Sequence, residues 1–350
     1  MANLSRRDAL CIAHKGIRNR LMKQPLVISF ETTLSCNCNC LHCDLGGIIK
    51  DEKRMAPHDY ARLTALFHPV AVQISGGEPL LRKDITDIAH AIKHASYPIY
   101  LIFVTNGALL NEERYLKLQE AGVNQFSISL DYPDQRHDKF RQRPGLYAHL
   151  DETIPRLASL GSHDIILNSV ITKTNLKDII SLAYKAKEWN VSISYSIYTP
   201  RRTGSREYCI DTAEDRKLLQ NTIRELLELK KQINTITNLR GVFLDTLKFV
   251  EQGYYMKNCK AGTGFLVVDP AGNFIPCSLH RDKVYASQEE MRREFCAGNK
   301  CGDCYVSIRS YSEQSPRRWI ADVPSYVKQF LNHPSASVVD DIPKELARDK

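Results

Sequence analysis

From residue 26 to residue 198, short apolar runs alternate with helix-like stretches, and this alternation limits the fold more than any other feature of the chain. The apolar runs are residues 26–30, 70–74, 99–104, 125–130, 164–171 and 191–198. Between them, residues 58–67, 84–94, 111–121, 150–160 and 175–189 carry apolar residues at helical spacing. Six strands separated by helices predict an α/β fold with a parallel sheet, here a partial (β/α)6 TIM-like barrel. In parallel α/β folds the ligand site lies at the carboxyl ends of the strands. Polar residues and glycines gather at those ends. Ser75-Gly76-Gly77-Glu78-Pro79 follows the second run, Thr105-Asn106-Gly107 the third, and Asp131 the fourth.

The 350 residues divide into a basic helix over 1–23, the barrel over 24–235, a small domain over 236–310 and a tail over 311–350. In the first segment Leu10, Ala13, Ile17 and Leu21 share one stripe, with Arg6, Arg7, Lys15, Arg18, Arg20 and Lys23 elsewhere. Such a helix is expected to pack on its own domain, with a membrane surface as the alternative. Residues 213–235 read as a charged helix. Residues 264–276 read as a β-hairpin turning at Asp269-Pro270-Ala271-Gly272, and they open the small domain. The tail carries one short helix near 325–331. No apolar run is long enough to span a bilayer and no secretory signal opens the chain, so a cytoplasmic location is expected. A net charge of +8 suits acidic partners without choosing among them, and nucleic acid is not the expected one.

Of eleven cysteines, all but Cys11 and Cys209 fall within 36–43 and 259–304. Crowded thiols in a reducing compartment read as metal or iron–sulfur ligands before disulfides. Cys36, Cys40 and Cys43 follow C-x3-C-x2-C directly after the first strand. Three thiolates on one loop hold three irons of a cubane and leave the fourth open for chemistry. The alternative is a zinc site or a structural cluster completed by a further ligand, with His42 and Cys38 as candidates. In the second group, Cys277 sits at the end of the hairpin, Cys301 and Cys304 form a C-x2-C pair, and Cys259 precedes them. A zinc ribbon is the plainer reading of that group.

The stretch PLVISFETTLSCNCNCLHC resembles the first strand and cluster loop of the radical S-adenosylmethionine (SAM) superfamily, and the resemblance extends over about residues 24–200. It implies a [4Fe–4S] cluster on Cys36, Cys40 and Cys43 whose open iron binds SAM. Reductive cleavage of SAM then gives a 5′-deoxyadenosyl radical that abstracts hydrogen from substrate. It further implies that Gly76, Gly77, Glu78 and Pro79 bind the methionine amino group and that His42 lies near the adenine. Thr105, Asn106, Ser129, Asp131 and Asn168 match other SAM-contacting positions. The chain departs from the family at His42, usually aromatic, at the extra Cys38, and at Tyr132, usually glycine. The segment CKAGTGFLVVDPAGNFIPC resembles the auxiliary-cluster domains called SPASM and Twitch. The shortened form implies one auxiliary [4Fe–4S] cluster on Cys259, Cys277, Cys301 and Cys304, with Cys296 as alternate, relaying electrons. A flavodoxin or ferredoxin is the implied electron donor.

Arg201, Arg202 and Arg206 follow the sixth strand and suit a carboxylate or phosphate. Cys209 is a candidate hydrogen-atom donor to a substrate radical. The expected substrate is a small molecule or natural-product intermediate. The alternative is a maturase for a ribosomally made peptide, set second because only 23 residues precede the barrel. A non-enzymatic iron–sulfur or zinc protein is a distant third. The molybdenum-cofactor GTP cyclase is not expected, because the chain ends in Arg348-Asp349-Lys350 and not in that family's Gly-Gly.

Overall fold

The computed structural model of the chain describes residues 5–253 and 259–305. The tail and its expected helix lie outside the described residues. In chain order the elements are α1 (Arg6–Leu21), β1 (Val27–Thr33), α2 (Pro57–Phe67), β2 (Ala71–Gly76), α3 (Ile85–Ala95), β3 (Tyr100–Thr105), α4 (Glu112–Glu120) and β4 (Gln125–Ser129). They continue with α5 (Arg136–Arg141), α6 (Leu146–Ala158), β5 (Ile165–Ile171), α7 (Ile179–Glu188), β6 (Ser192–Ile197), α8 (Ala213–Gln232) and α9 (Arg240–Gln252). Then follow β7 (Phe265–Val268), β8 (Phe274–Ile275) and α10 (Gln288–Glu294).

The sheet runs β6-β5-β4-β3-β2-β1-β7-β8. Strands β1 to β6 are parallel neighbours in sequence order, as six β/α units require. The expected hairpin is present, with β8 antiparallel to β7. It is not set apart from the barrel, however. β7 lies parallel to β1, with Val27 against Phe265 and Phe30 against Val268. The cysteine-rich region therefore continues the same sheet.

Period-two alternation sorts the strands into two faces. Ile28, Phe30, Val72, Ile74, Leu101, Phe103, Phe126 and Ile128 are fully buried on the helix-covered face. Each adds about 1.5–3 kcal/mol on burial. The other face carries Ser29, Gln73, Ser75, Ser127, Ser129, Asn168, Ser194 and Ser196, and the Ser29 and Ser75 hydroxyls meet at 2.8 Å. Stability thus comes from the outer layer, and the inner face is left polar for a ligand.

Helix α1 packs on its own domain, but not through its apolar stripe. Leu10 is 72% exposed, Ile17 56% and Leu21 79%. Polar residues hold the helix instead. Asn19 is buried and donates to the carbonyls of Pro25, Phe67 and His68, while Lys15 donates to those of Ser96 and Pro98. These acceptors satisfy donors that burial would otherwise penalise, so the docked face of the helix is its polar one.

Candidate active site

The first cysteine group lies where expected, at the carboxyl end of β1. The loop folds back on itself, with the Cys36 amide donating to Gly47 at 2.8 Å and the Cys43 amide to Cys40 at 3.1 Å. Cys36, Cys38 and Cys40 are buried, and Cys43 is partly so. The Cys38 thiol bonds to both Cys36 and Cys40, which lowers the pKa of each, that of Cys40 to about 6, and raises its own.

Two side chains reach these sulfurs, one from the residue after β3 and one from the end of α5. Asn106 Nδ2 lies 3.8 Å from Cys36 Sγ and donates to Asn37 at 2.7 Å. Arg141 Nη1 lies 3.8 Å from Cys40 Sγ. Arg141 is buried, which opposes its charge, but Asp131 and Cys40 more than offset this and hold it protonated. Asp131 grips it through Oδ2, at 2.7 Å from Nε and 2.6 Å from Nη2. Sequence reasoning missed Arg141, one of three basic residues in a short helix that carries no motif.

The structure gives several expected SAM-pocket residues a bracing duty. Glu78 is fully buried and accepts from Leu80 N (3.0 Å), Thr105 Oγ1 (2.8 Å) and Asn106 N (2.8 Å). Burial raises its pKa to about 7. Its carboxylate thus ties the end of β2 to the end of β3. The close approach that the two glycines permit is to the cysteine loop. A Cβ on Gly76 would fall 2.2 Å from Thr33 O, and one on Gly77 2.1 Å from Ser35 O. Pro79 opens the single 3-10 turn that follows. Asp131 also accepts from Val170 N at 2.9 Å. Ser129 and Asn168 are register partners on β4 and β5, both half-buried on the polar face.

His42 stacks on Phe140 at 4.7 Å, and burial holds its pKa well below the usual histidine value. Its Nδ1 and the Nδ2 of Asn37 are buried with no partner. Two orphaned polar atoms beside a loop of buried thiols fit a polar ligand bound over the cysteines. Cys209 is half-buried against Tyr132, Phe140, Tyr198 and Tyr208, and burial raises its pKa.

In the second cysteine group, His280, Cys301 and Asp303 bring their ligand atoms within 4.8 Å of one another, the one such group of three among the described residues. His280 and Asp303 were not among the expected ligands. Arg201 Nη2 lies 3.0 Å from His280 Nδ1. Arginine only donates, so Nδ1 accepts and Nε2 carries the hydrogen toward Cys301 Sγ at 3.5 Å. Burial raises the Cys277 pKa to about 11. The Cys296 thiol donates to the Ala261 carbonyl at 3.6 Å. One thiol, one imidazole and one carboxylate within that distance are donors that suit a metal ion.

The arginines after β6 are committed within the chain. Arg201 pairs with Asp303, Arg202 with Asp44 and Arg206 with Asp211. Arg281, unforeseen, forks onto buried Glu31 with two bonds of 2.7 Å. Cysteine loop, β6 loop and cysteine-rich region are therefore clamped together by ion pairs at the barrel mouth.

A parallel half-barrel whose first strand runs into a three-cysteine loop, with a second cysteine group in the loops around β7 and β8, defines an α/β class with its site at the carboxyl ends of the strands. Residues 30–183 match the family model described as Radical SAM superfamily. The chain carries a radical SAM domain, with the enzymatic character of that superfamily, followed by a cysteine-rich region with a candidate metal-binding group. It is 28% identical over 277 residues to the AdoMet-dependent heme synthase of Methanosarcina barkeri (strain Fusaro / DSM 804), covering 72% of this chain and 76% of that one. Its fold is shared with Streptococcus suis SuiB bound to precursor peptide SuiA (TM-score 0.60, 17% identity, 78% of this chain and 64% of that one). It is shared also with anSMEcpe with bound AdoMet and Cp18Cys peptide (TM-score 0.58, 17% identity, 88% and 99%). Among the described residues no helix is long and apolar enough to cross a membrane.

Proposed function

We propose that the chain is a radical SAM enzyme that modifies a peptide, using one SAM-binding [4Fe–4S] cluster and one auxiliary cluster. The observation that supports it most is the pair of donors, Asn106 and Arg141, aimed at the sulfurs of a buried cysteine loop. Cys36, Cys40 and Cys43 hold the first cluster, and Cys259, Cys277, Cys301 and Cys304 the second. SAM bound to such a centre supplies, on reduction, a 5′-deoxyadenosyl radical that takes hydrogen from the substrate.

The chain's own residues do the rest. Asn106 and Arg141 bring an N–H and a positive charge to the thiolates, as anionic ligands need. Asn37 and His42 offer unspent polar atoms to SAM. Glu78, Gly76 and Gly77 fix the distance between the loop and the β2–β3 edge. His280 donates to Cys301, a bond that tunes an iron–sulfur potential. The ion pairs of Arg202 and Arg281 close the mouth and limit water.

A peptide substrate is favoured over the small molecule that the sequence suggested, because the fold is shared with SuiB bound to precursor peptide SuiA and with anSMEcpe bound to Cp18Cys peptide. The polar face of a sheet that does not close on itself also suits an extended, hydrogen-bonding chain. One observation keeps a second reading alive. The likeness to the heme synthase suits a carboxylate-bearing small molecule.

Anaerobic reconstitution tests the first part. Two clusters give about eight irons per chain, and reduction with dithionite yields 5′-deoxyadenosine. Cys36→Ala abolishes that product. Absence of SAM cleavage in the iron-replete wild type sinks the reading. For the substrate, a deuterated short peptide encoded beside this gene is set against a deuterated tetrapyrrole carboxylate. Label appearing in 5′-deoxyadenosine only from the second overturns the peptide assignment.

A further inference from the structure

Helix α1 presents a face that the site does not use. Its inner side is fixed by Asn19 and Lys15, and by Asp8, which accepts from Tyr97 OH at 2.7 Å. Those contacts fall on Pro25, Phe67, His68, Ser96 and Pro98, which lead into β1, β2 and β3. The helix therefore lies across the amino ends of the strands, opposite the cysteine loop. Its outer side carries Leu10, Ile17 and Leu21, seven and four residues apart and so on one line, with Met22 beside them at 57% exposure. Exposed Arg7, Arg18 and Lys23 accompany that line, and the one acid of the helix, Asp8, is taken up by Tyr97 OH. Tyr97, 67% exposed, stands at the same end.

We propose that this face binds an anionic lipid surface, so that the enzyme sits on a membrane with its barrel mouth turned away. Apolar residues on one line with basic residues alongside make an interfacial helix, whose side chains enter the acyl boundary while the cations meet the headgroups. Position and charge argue against other occupants. An electron donor must reach the cysteine loop, at the other end of the strands. A second copy of this face would set Arg7, Arg18 and Lys23 against their like.

Flotation of the full-length, reconstituted protein with vesicles tests this. Phosphatidylcholine vesicles containing phosphatidylglycerol are expected to carry the protein, and phosphatidylcholine alone to carry much less. Arg7→Gln and Arg18→Gln each weaken binding about fivefold, and added salt does likewise. Leu10→Ser with Leu21→Ser releases the protein without changing its iron content or 5′-deoxyadenosine yield. In a separate variant, Leu21→Trp, the indole emission shifts to the blue on vesicle addition. No flotation with the anionic vesicles, or flotation untouched by the leucine and arginine variants, overturns the proposal. A dimer in sedimentation equilibrium that Leu10→Ser dissolves also overturns it, in favour of a self-association face.

Discussion

At the scale of single residues, buried charges organise the site. Arg141 holds a place that no neighbour can fill, because Asp131 is fully buried and its Oδ2 depends on that guanidinium. Arg141→Met leaves the carboxylate unpaired, at a cost of about 3–5 kcal/mol. The expected result is a lower urea midpoint together with a poorly loaded first cluster, and an unchanged midpoint would refute the pairing. His280 gives a subtler outcome. If it donates to Cys301, His280→Phe keeps the iron content but lowers the auxiliary reduction potential, since the bond favours the more negative state. Loss of iron in that variant would show it to be a ligand. Neither residue was readable from the sequence. Arg141 belongs to a six-residue helix with no apolar stripe, and His280 meets Cys301 only through a loop that folds back 21 residues later. The cysteines were readable because their own spacing carries the chemistry.

At the scale of elements, turns and helix ends fix the strand edges. Gly77→Ala places a methyl carbon 2.1 Å from Ser35 O, so the cysteine loop must move. Iron incorporation into the first cluster should fall while the second loads normally, as Mössbauer spectra of the two centres would show. On the far edge, Lys93 joins α3 to Ile99 O at 2.8 Å and to Asn124 Oδ1 at 2.6 Å. Burial lowers its pKa from 10.5 to about 8. Between those values the unfolded chain holds the extra proton, so stability rises as pH goes from about 8 to about 10.5. Lys93→Met should flatten this rise in denaturant titrations across that window, and a slope retained in the variant would assign it to another group. The strands and most helices were legible because each alternates or repeats within its own length. The sequence also placed the polar residues at the strand ends, Glu78 among them as an expected ligand, but it did not show that the same carboxylate braces two turns. Nothing local reveals that Thr105 and Asn106 would claim that carboxylate.

At the scale of the molecule, the sheet joins regions that the sequence kept apart. The hairpin was legible from Asp269-Pro270-Ala271-Gly272, yet its pairing with β1 spans the whole barrel and leaves no trace in either segment. Because β7 covers one edge of β1, a chain cut after residue 253 should not behave as a free-standing barrel. It exposes the edge from Val27 to Phe30 and the apolar faces that Phe265, Leu266 and Val268 had covered. Aggregation, or a clearly lower thermal midpoint by circular dichroism, is the expected outcome. A soluble fragment with the parent midpoint would show the two regions to be independent.

The same pairing sets a timetable for synthesis. Val27 leaves the ribosome 238 residues before its partner Phe265. At ordinary translation speeds that is a delay of about ten to fifty seconds. During it, β1 has β2 on one side and nothing of its own sheet on the other, next to a loop of reactive thiols. Chaperones and the cluster-loading machinery therefore meet the nascent chain in a half-finished state.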